Sequence, residues 1–295
     1  MEFIVQILNG MSVGSIYALV ALGYSMVYGI VKLINFAHGE IIMLGGYAIY
    51  VSTLLLGLPV WLSVILSIAF CAIVGVAIEK LAYNRLLRKN APRISLLITA
   101  IGVSIFLQNL MAQEWAFGSG SKPVNKLFNI PDLEIGGLKI EMLTVVTVLT
   151  TALLTVLLQL LVSKTKLGKA MRAASEDAGA AKLMGINTSV IIAATFAIGS
   201  ALAAVGALFY CEKYMQINPF MGSMLGLKAF VAAVLGGIGS IPGAVVGGLA
   251  LGIAESVTIA LGGSAFSDAV VFGALILVLV IRPAGLFGKN LHEKV

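Results

Sequence analysis

The sequence predicts an all-α, polytopic integral membrane protein with about eight to nine membrane helices, including a broken or re-entrant pair near 227–260. Three observations predict it. The 295 residues are 60% hydrophobic and only 11% charged, and their mean hydropathy of +1.06 is that of a membrane chain. Apolar runs recur along the whole length. The basic residues alternate between a rich and a poor set of connections, as spans of alternating direction require.

The apolar segments fall at about 4–29, 38–56, 60–84, 94–113, 142–163, 190–210, 227–241, 243–260 and 267–281. Most reach the roughly 20 residues that a helix needs to cross a hydrocarbon core ~30 Å thick. The first follows Glu2, has no basic residue before it and no small-x-small cleavage site after it, so it is expected to remain as a span rather than be removed. The pair 227–241 and 243–260 is short and interrupted by glycines and Pro242, which suggests a broken or partly re-entrant hairpin. Polar connections lie near 30–37, 85–93, 114–141, 164–189 and 211–226. The whole of 1–295 is expected to be one transmembrane domain.

Of the nineteen basic residues, fourteen fall in one set of loops, from Lys32 through Arg85, Arg93 and Lys164 to Lys289 and Lys294. The other set holds five, Lys122, Lys126, Lys139, Lys213 and Lys228. The positive-inside rule then places the N-terminus outside and the C-terminus in the cytoplasm. It also accounts for the net charge of +6 without a nucleic-acid partner. Cys71 and Cys211 stand in different runs and read as small buried hydrophobes. A single histidine near 38 is no metal site, and no cofactor is expected. The longest outer connection, 114–141, is turn-rich and nearly neutral: a plain loop or a docking surface for an external partner.

A faint internal echo links "INFAHGEIIMLGG" from Ile34 with "INPFMGSMLG" from Ile217. On this topology the two lie on opposite membrane sides, as an inverted repeat would place them.

The cytoplasmic connection 164–189 is patterned. Leu167, Met171, Ala174, Ala178 and Ala181 make a narrow helical stripe. Ser175 is placed to cap a helix N-terminus, with Glu176 and Asp177 in its first turn. Lys182 falls in the last turn, Gly185 suits a left-handed C′ position and Asn187 caps the next span. A helix over 176–184 is about two and a half turns, ~13 Å long, too short to span. Its small surface fits a groove in a cytosolic partner; an interfacial helix resting on headgroups is the alternative.

Five blocks, "INFAHGE" (34–40), "AIGVSIFLQN" (100–109), "GKAMRAASEDAGAAKLMGIN" (168–187), "AAVLGGIGSIPGAVVGGLALGIAE" (232–255) and "LVLVIRPAGLFG" (277–288), together resemble the branched-chain amino acid ABC transporter permease family, in its LivH-type branch. The likeness runs from about residue 8 to 290. It implies a permease that pairs with a second, related permease, two cytosolic ATPase subunits and a periplasmic substrate-binding protein, delivering leucine, isoleucine or valine across the inner membrane. It also implies that Arg172, Ser175, Glu176, Asp177, Ala178, Ala181, Lys182 and Gly185 couple the chain to the ATPases. Related permeases carry urea, short amides or other amino acids. No G-x-x-x-x-G-K-[ST] loop occurs, "GSGSKP" and "GLFGKN" lacking its spacing, so the ATPase is expected on another chain.

Polar residues at membrane depth are the candidates for the route. Asn35, His38 and Glu40 form either a cavity-facing bend or a helix-end cap. Glu255 could meet a substrate ammonium, be neutral, or pair with a partner's base. Gln108 and Asn109 offer amide contacts, with interhelical hydrogen bonding as the alternative. Gly239, Gly243 and Gly247 recur every four residues on one face, Gly248 and Gly252 on an adjoining one, a period that lets helices pack backbone to backbone. A rival of another class is an ion-coupled secondary transporter working through Glu255 or the His38–Glu40 pair; a passive channel is a further one.

Overall fold

The computed structural model describes residues 2–288 except 90, 129, 136 and 137; Lys289 and Lys294, counted above among the loop cations, lie outside the described residues. The helices are α1 (Glu2–Val31), α2 (His38–Tyr50), α3 (Val60–Ile78), α4 (Asn84–Arg88), α5 (Arg93–Ala112), α6 (Met142–Lys164), α7 (Lys166–Glu176), α8 (Ala178–Leu183), α9 (Thr188–Tyr214), α10 (Met221–Gly236), α11 (Ile241–Ala260) and α12 (Ser267–Ile281). A π-helical turn extends α2 over Val51–Leu55, and another joins α3 to α4 over Glu79–Tyr83. Four short strands, β1 (Lys122–Pro123), β2 (Leu133–Ile135), β3 (Leu138–Ile140) and β4 (Gln216–Ile217), belong to the loop end of the molecule.

The chain is a polytopic all-α membrane protein. Among the described residues seven helices are long and apolar enough to cross a membrane, α3 and α4 counting as one and α12 counted with the 3-10 turn Ser264–Phe266 that precedes it. The shorter α2 and α10 make up the remaining apolar segments. At 16 residues α10 is about 24 Å long, short of the ~30 Å hydrocarbon core. The 227–260 region therefore holds one short helix and one of full length. α10 starts six residues earlier than the apolar run at 227, because Met221–Gly226 is helical despite its glycines. Pro242 opens α11 instead of breaking it, at a position where its missing N–H costs nothing, and the Ser240 hydroxyl accepts from Gly243 N at 3.2 Å.

α1 is the hub, buried from Ile16 to Val27 and packed against α9, α10 and α11. Small residues allow it. A methyl on Gly252 would run into the backbone of Gly14, and one on Gly248 would lie 2.6 Å from Ala18 N. Gly247 meets Ala232 of α10 in the same way, and Gly243 meets Gly236. So the glycine faces pack the chain against itself, Gly243 and Gly247 on α10 and Gly248 and Gly252 on α1. Gly239 is not on the helical face: it lies in the turn before α11 with φ +93°. The tail folds back onto α10, where Leu286 N–H and Phe287 N–H donate to the Leu235 and Gly236 carbonyls at 2.9 Å, satisfying helix-end acceptors.

The echo of Ile34 and Ile217 is structural. In each copy the asparagine side chain accepts from the N–H two residues on, Ala37 to Asn35 at 3.2 Å and Phe220 to Asn218 at 2.9 Å. Each then starts a helix three residues after the asparagine, α2 at His38 and α10 at Met221. Chain order repeats around them: α1, break, α2 and α9, break, α10. One offset, 183 residues, carries Asn35 to Asn218 and Gly39 to Gly222. It also turns the contact of Gly23 with the Gly199 carbonyl into that of Gly206 with the Ile16 carbonyl.

The connection 114–141 is fastened down. β1 pairs antiparallel with β4, and β2 with β3. Leu127 N–H donates to the Glu212 carboxylate at 2.7 Å, Lys213 pairs with Glu141 at 2.6 Å, and Phe117 stacks on Tyr47 with centroids 4.4 Å apart. Exposed Trp61 and Trp115 sit at the same end, where amphipathic rings suit a membrane interface.

Candidate functional site

Two places combine chemistry with position. The first is the α7–α8 elbow, at the end opposite β1–β4. Asp177 caps α8: its Oδ1 accepts from Gly179 N at 2.7 Å and Ala180 N at 3.0 Å. That moves the cap two residues from Ser175, whose hydroxyl donates to the Arg172 carbonyl within α7, while Glu176 ends α7. Helix-forming "GKAMRAASE" carries α7 through both positions, and the extended backbone needed for a cap first appears at Asp177. Gly185 adopts φ +81° as a C′ residue, and Asn187 Oδ1 accepts from Val190 N at 3.3 Å, opening α9. Ala181 is buried and holds α8 to the body, so it is not part of the accessible surface. Ala178, Gly179, Ala180 and Lys182 are exposed, and Leu183 and Met184 stand out at 89% and 82% exposure.

The second place is the crossing of α2 and α10. Gly39 and Gly222 meet backbone to backbone, and a methyl on Gly226 would lie 2.6 Å from Gly39 Cα. Next to this contact, Glu40 is buried at 1% exposure. Its Oε1 accepts from the Ser104 hydroxyl of α5 and the Ser223 hydroxyl of α10, both at 3.0 Å. Gln108 Nε2 donates to Ser223 Oγ at 2.5 Å. The second carboxylate oxygen, Oε2, has no hydrogen-bond partner. Ser104 and Gln108 are half-buried and Ser223 exposed, so the chain of polar groups leads from the buried carboxylate to the surface. Asn35 sits in the break below, accepting from Tyr83 OH at 2.8 Å, and His38 packs edge-on against Tyr24 at 4.7 Å. Asn109 joins none of this; its amide donates to its own helix at Ile105 O.

Glu255 lies elsewhere and is fully engaged. Lys228 Nζ reaches Glu255 Oε1 at 2.6 Å and Asp268 Oδ1 at 2.7 Å, and Tyr17 OH donates to Glu255 Oε2 at 2.6 Å. The lysine assigned to an outer loop is a buried residue of α10. Its cluster ties α1, α10, α11 and α12 together.

A pair of helices crossing at an internal-repeat contact, with a recessed carboxylate beside it, is an arrangement found in membrane transporters. The model of the family described as "Branched-chain amino acid transport system / permease component" matches residues 6–280. The chain belongs to this family. The permease is 44% identical over its whole length to the high-affinity branched-chain amino acid transport system permease protein BraD of Pseudomonas aeruginosa, 98% of which is covered. It is 43% identical to the LivH permease protein of Escherichia coli, with 99% of this chain and 98% of that one covered. The probable branched-chain amino acid permease protein LivH of Methanocaldococcus jannaschii is 31% identical over 97% of this chain and 93% of its own. No solved structure matches the permease.

Ser104, Ser223, Tyr17, Lys228 and Asp268 are the members of these two polar clusters that reading the sequence missed. Ser223 had a signal: it is Glu40 carried forward by the repeat offset of 183 residues.

Proposed function

We propose that this chain is the membrane-spanning permease subunit of an ATP-binding-cassette importer that translocates leucine, isoleucine and valine. The observation that carries this reading is similarity from end to end, at 43–44% identity, to permease proteins of high-affinity branched-chain amino acid systems. The chain acts as one transmembrane domain of 295 residues. It works in the inner membrane with its N-terminus outside and its C-terminus in the cytoplasm. Its partners are a second related permease, two cytosolic ATPases that supply the hydrolysis this chain lacks a motif for, and a periplasmic binding protein.

The α7–α8 elbow supports the coupling role. α8 is short, capped at both ends and presents small residues beside exposed Leu183 and Met184, the shape of an insert for a groove. α7 packs on α1, α6 and α9, so displacement of the elbow reaches the hub helix. Arg172 adds a tie between the two helices it bridges, its guanidinium donating to Ser163 O at 3.4 Å. Of the residues implied in coupling, Ala178 and Lys182 belong to the contact surface; Asp177, Ala181 and Gly185 shape and seat it.

The test is reconstitution of the permease pair with its ATPases in proteoliposomes. Leucine uptake that needs ATP and the binding protein, and that ionophores leave unchanged, is expected. Uptake by the chain alone under an ion gradient, without nucleotide, overturns the reading.

A further inference from the structure

The permease has two carboxylates sunk among its apolar helices near α10, and they differ in one respect. Glu255 has a cation, Lys228, and a phenol, Tyr17. Glu40 has neither: among the described residues no lysine, arginine or histidine forms an ion pair with it, and its only partners are the hydroxyls of Ser104 and Ser223. An ionised carboxylate taken out of water without a counter-cation is costly, and more so at membrane depth. One oxygen remains unpartnered, buried beside the close contact of Gly39 with Gly222, where a methyl on Gly222 would lie 2.9 Å from it. Its hydroxyl partners lead outward through Gln108 to an exposed face of α5 and α10.

The geometry points to Glu40 as the group that receives the ammonium of the transported amino acid, a reading that rests on the importer function above. Ser223 and Gln108 form the cover that must part for the ligand to enter. The start of α10, beside Ser223, adds the partial positive end of a 16-residue helix near the carboxylate of the same zwitterion, through its dipole, since Phe220 N, Met221 N and Ser223 N already donate to Asn218 Oδ1, Asn218 O and Phe220 O. An α-amino acid carries both charges on one carbon, and this corner of the fold presents a carboxylate and a helix start side by side. The ammonium supplies the cation that the fold withholds.

The complex of permeases and ATPases is treated with dicyclohexylcarbodiimide, which modifies carboxyl groups in apolar surroundings, and Glu40 modification is followed by peptide mass spectrometry. Three ligands are added directly at high concentration: leucine, leucine methyl ester (ammonium kept, carboxylate blocked) and 4-methylpentanoate (ammonium absent). Leucine and its ester are expected to protect Glu40 several-fold, and 4-methylpentanoate not at all. A Glu40 that is not modified, or that the ester fails to protect, overturns the proposal, as does protection by 4-methylpentanoate. Separately, E40Q is expected to assemble and hydrolyse ATP but to lose about tenfold or more of leucine uptake; uptake equal to wild type overturns the assignment. Failure of the wild-type complex to take up leucine would instead count against the importer reading.

Discussion

At the scale of single residues, the Lys228 cluster shows how a buried charge is kept. Lys228 is 8% exposed and sits between two carboxylates at 2.6 and 2.7 Å. Removing one partner of such a set leaves the others uncompensated, a loss of about 3–5 kcal/mol, whereas removing a matched pair costs far less. K228M is therefore expected to lower the melting temperature and yield of the detergent-purified complex sharply, and K228M/E255Q to recover much of the loss. Additive losses in the double variant would mean that the pair is not coupled. The sequence was legible here in part. Glu255 stood out as a carboxylate in an apolar run, but Lys228 read as a loop residue because the glycines and serine of 221–226 hid the first turns of α10. Local cap chemistry was easier: Gly185 and Asn187 act as their residue types suggest, since a C′ glycine and an N-cap asparagine depend on few neighbours. Ser175 and Asp177, two cap formers two residues apart, were decided by how far α7 runs.

At the scale of elements, α8 is six residues long and cannot rely on its own length for stability. Its ends hold it. D177A removes the acceptor of two N–H groups and is expected to cost about 1 kcal/mol of local helix stability. Gly185 separates strain from crowding, because nothing lies within 4 Å of a side chain added there and only the left-handed backbone resists substitution. G185V is expected to meet a penalty of about 1–2 kcal/mol and to reduce ATP-coupled leucine uptake with membrane insertion intact. G185N, a residue that tolerates this conformation, keeps most of the uptake. Equal uptake by all three variants would show that transport does not depend on the shape of α8. The start of α10 was harder to foresee, six residues ahead of its apolar run, since hydropathy reports apolar length and not where a helix begins. The breaks follow from asparagine side chains that accept their own backbone, a signal that becomes clear only when the two copies are compared.

At the scale of the whole molecule, that comparison reaches the proposed site. Glu40 and Ser223 occupy equivalent positions of the two repeats and touch across the contact of Gly39 with Gly222. If the repeats are equivalent at this point, the carboxylate matters for being at the crossing, and less for the repeat that supplies it. E40S removes it and is expected to lose about tenfold or more of leucine uptake. The exchange variant E40S/S223E returns a carboxylate to the crossing from α10, hydrogen-bonded to the new serine at 40, and is expected to regain a measurable part of the uptake that E40S loses. The flanking residues are not symmetric: Ser104 and Gln108 come from α5, and residue 223 is exposed where residue 40 is buried. Recovery should therefore be partial, and S223E alone, with two carboxylates in contact and no cation between them, should be the poorer variant. Uptake by the exchange variant as low as that of E40S would mean that the echo between Ile34 and Ile217 survives in the fold alone, with the chemistry fixed in one half.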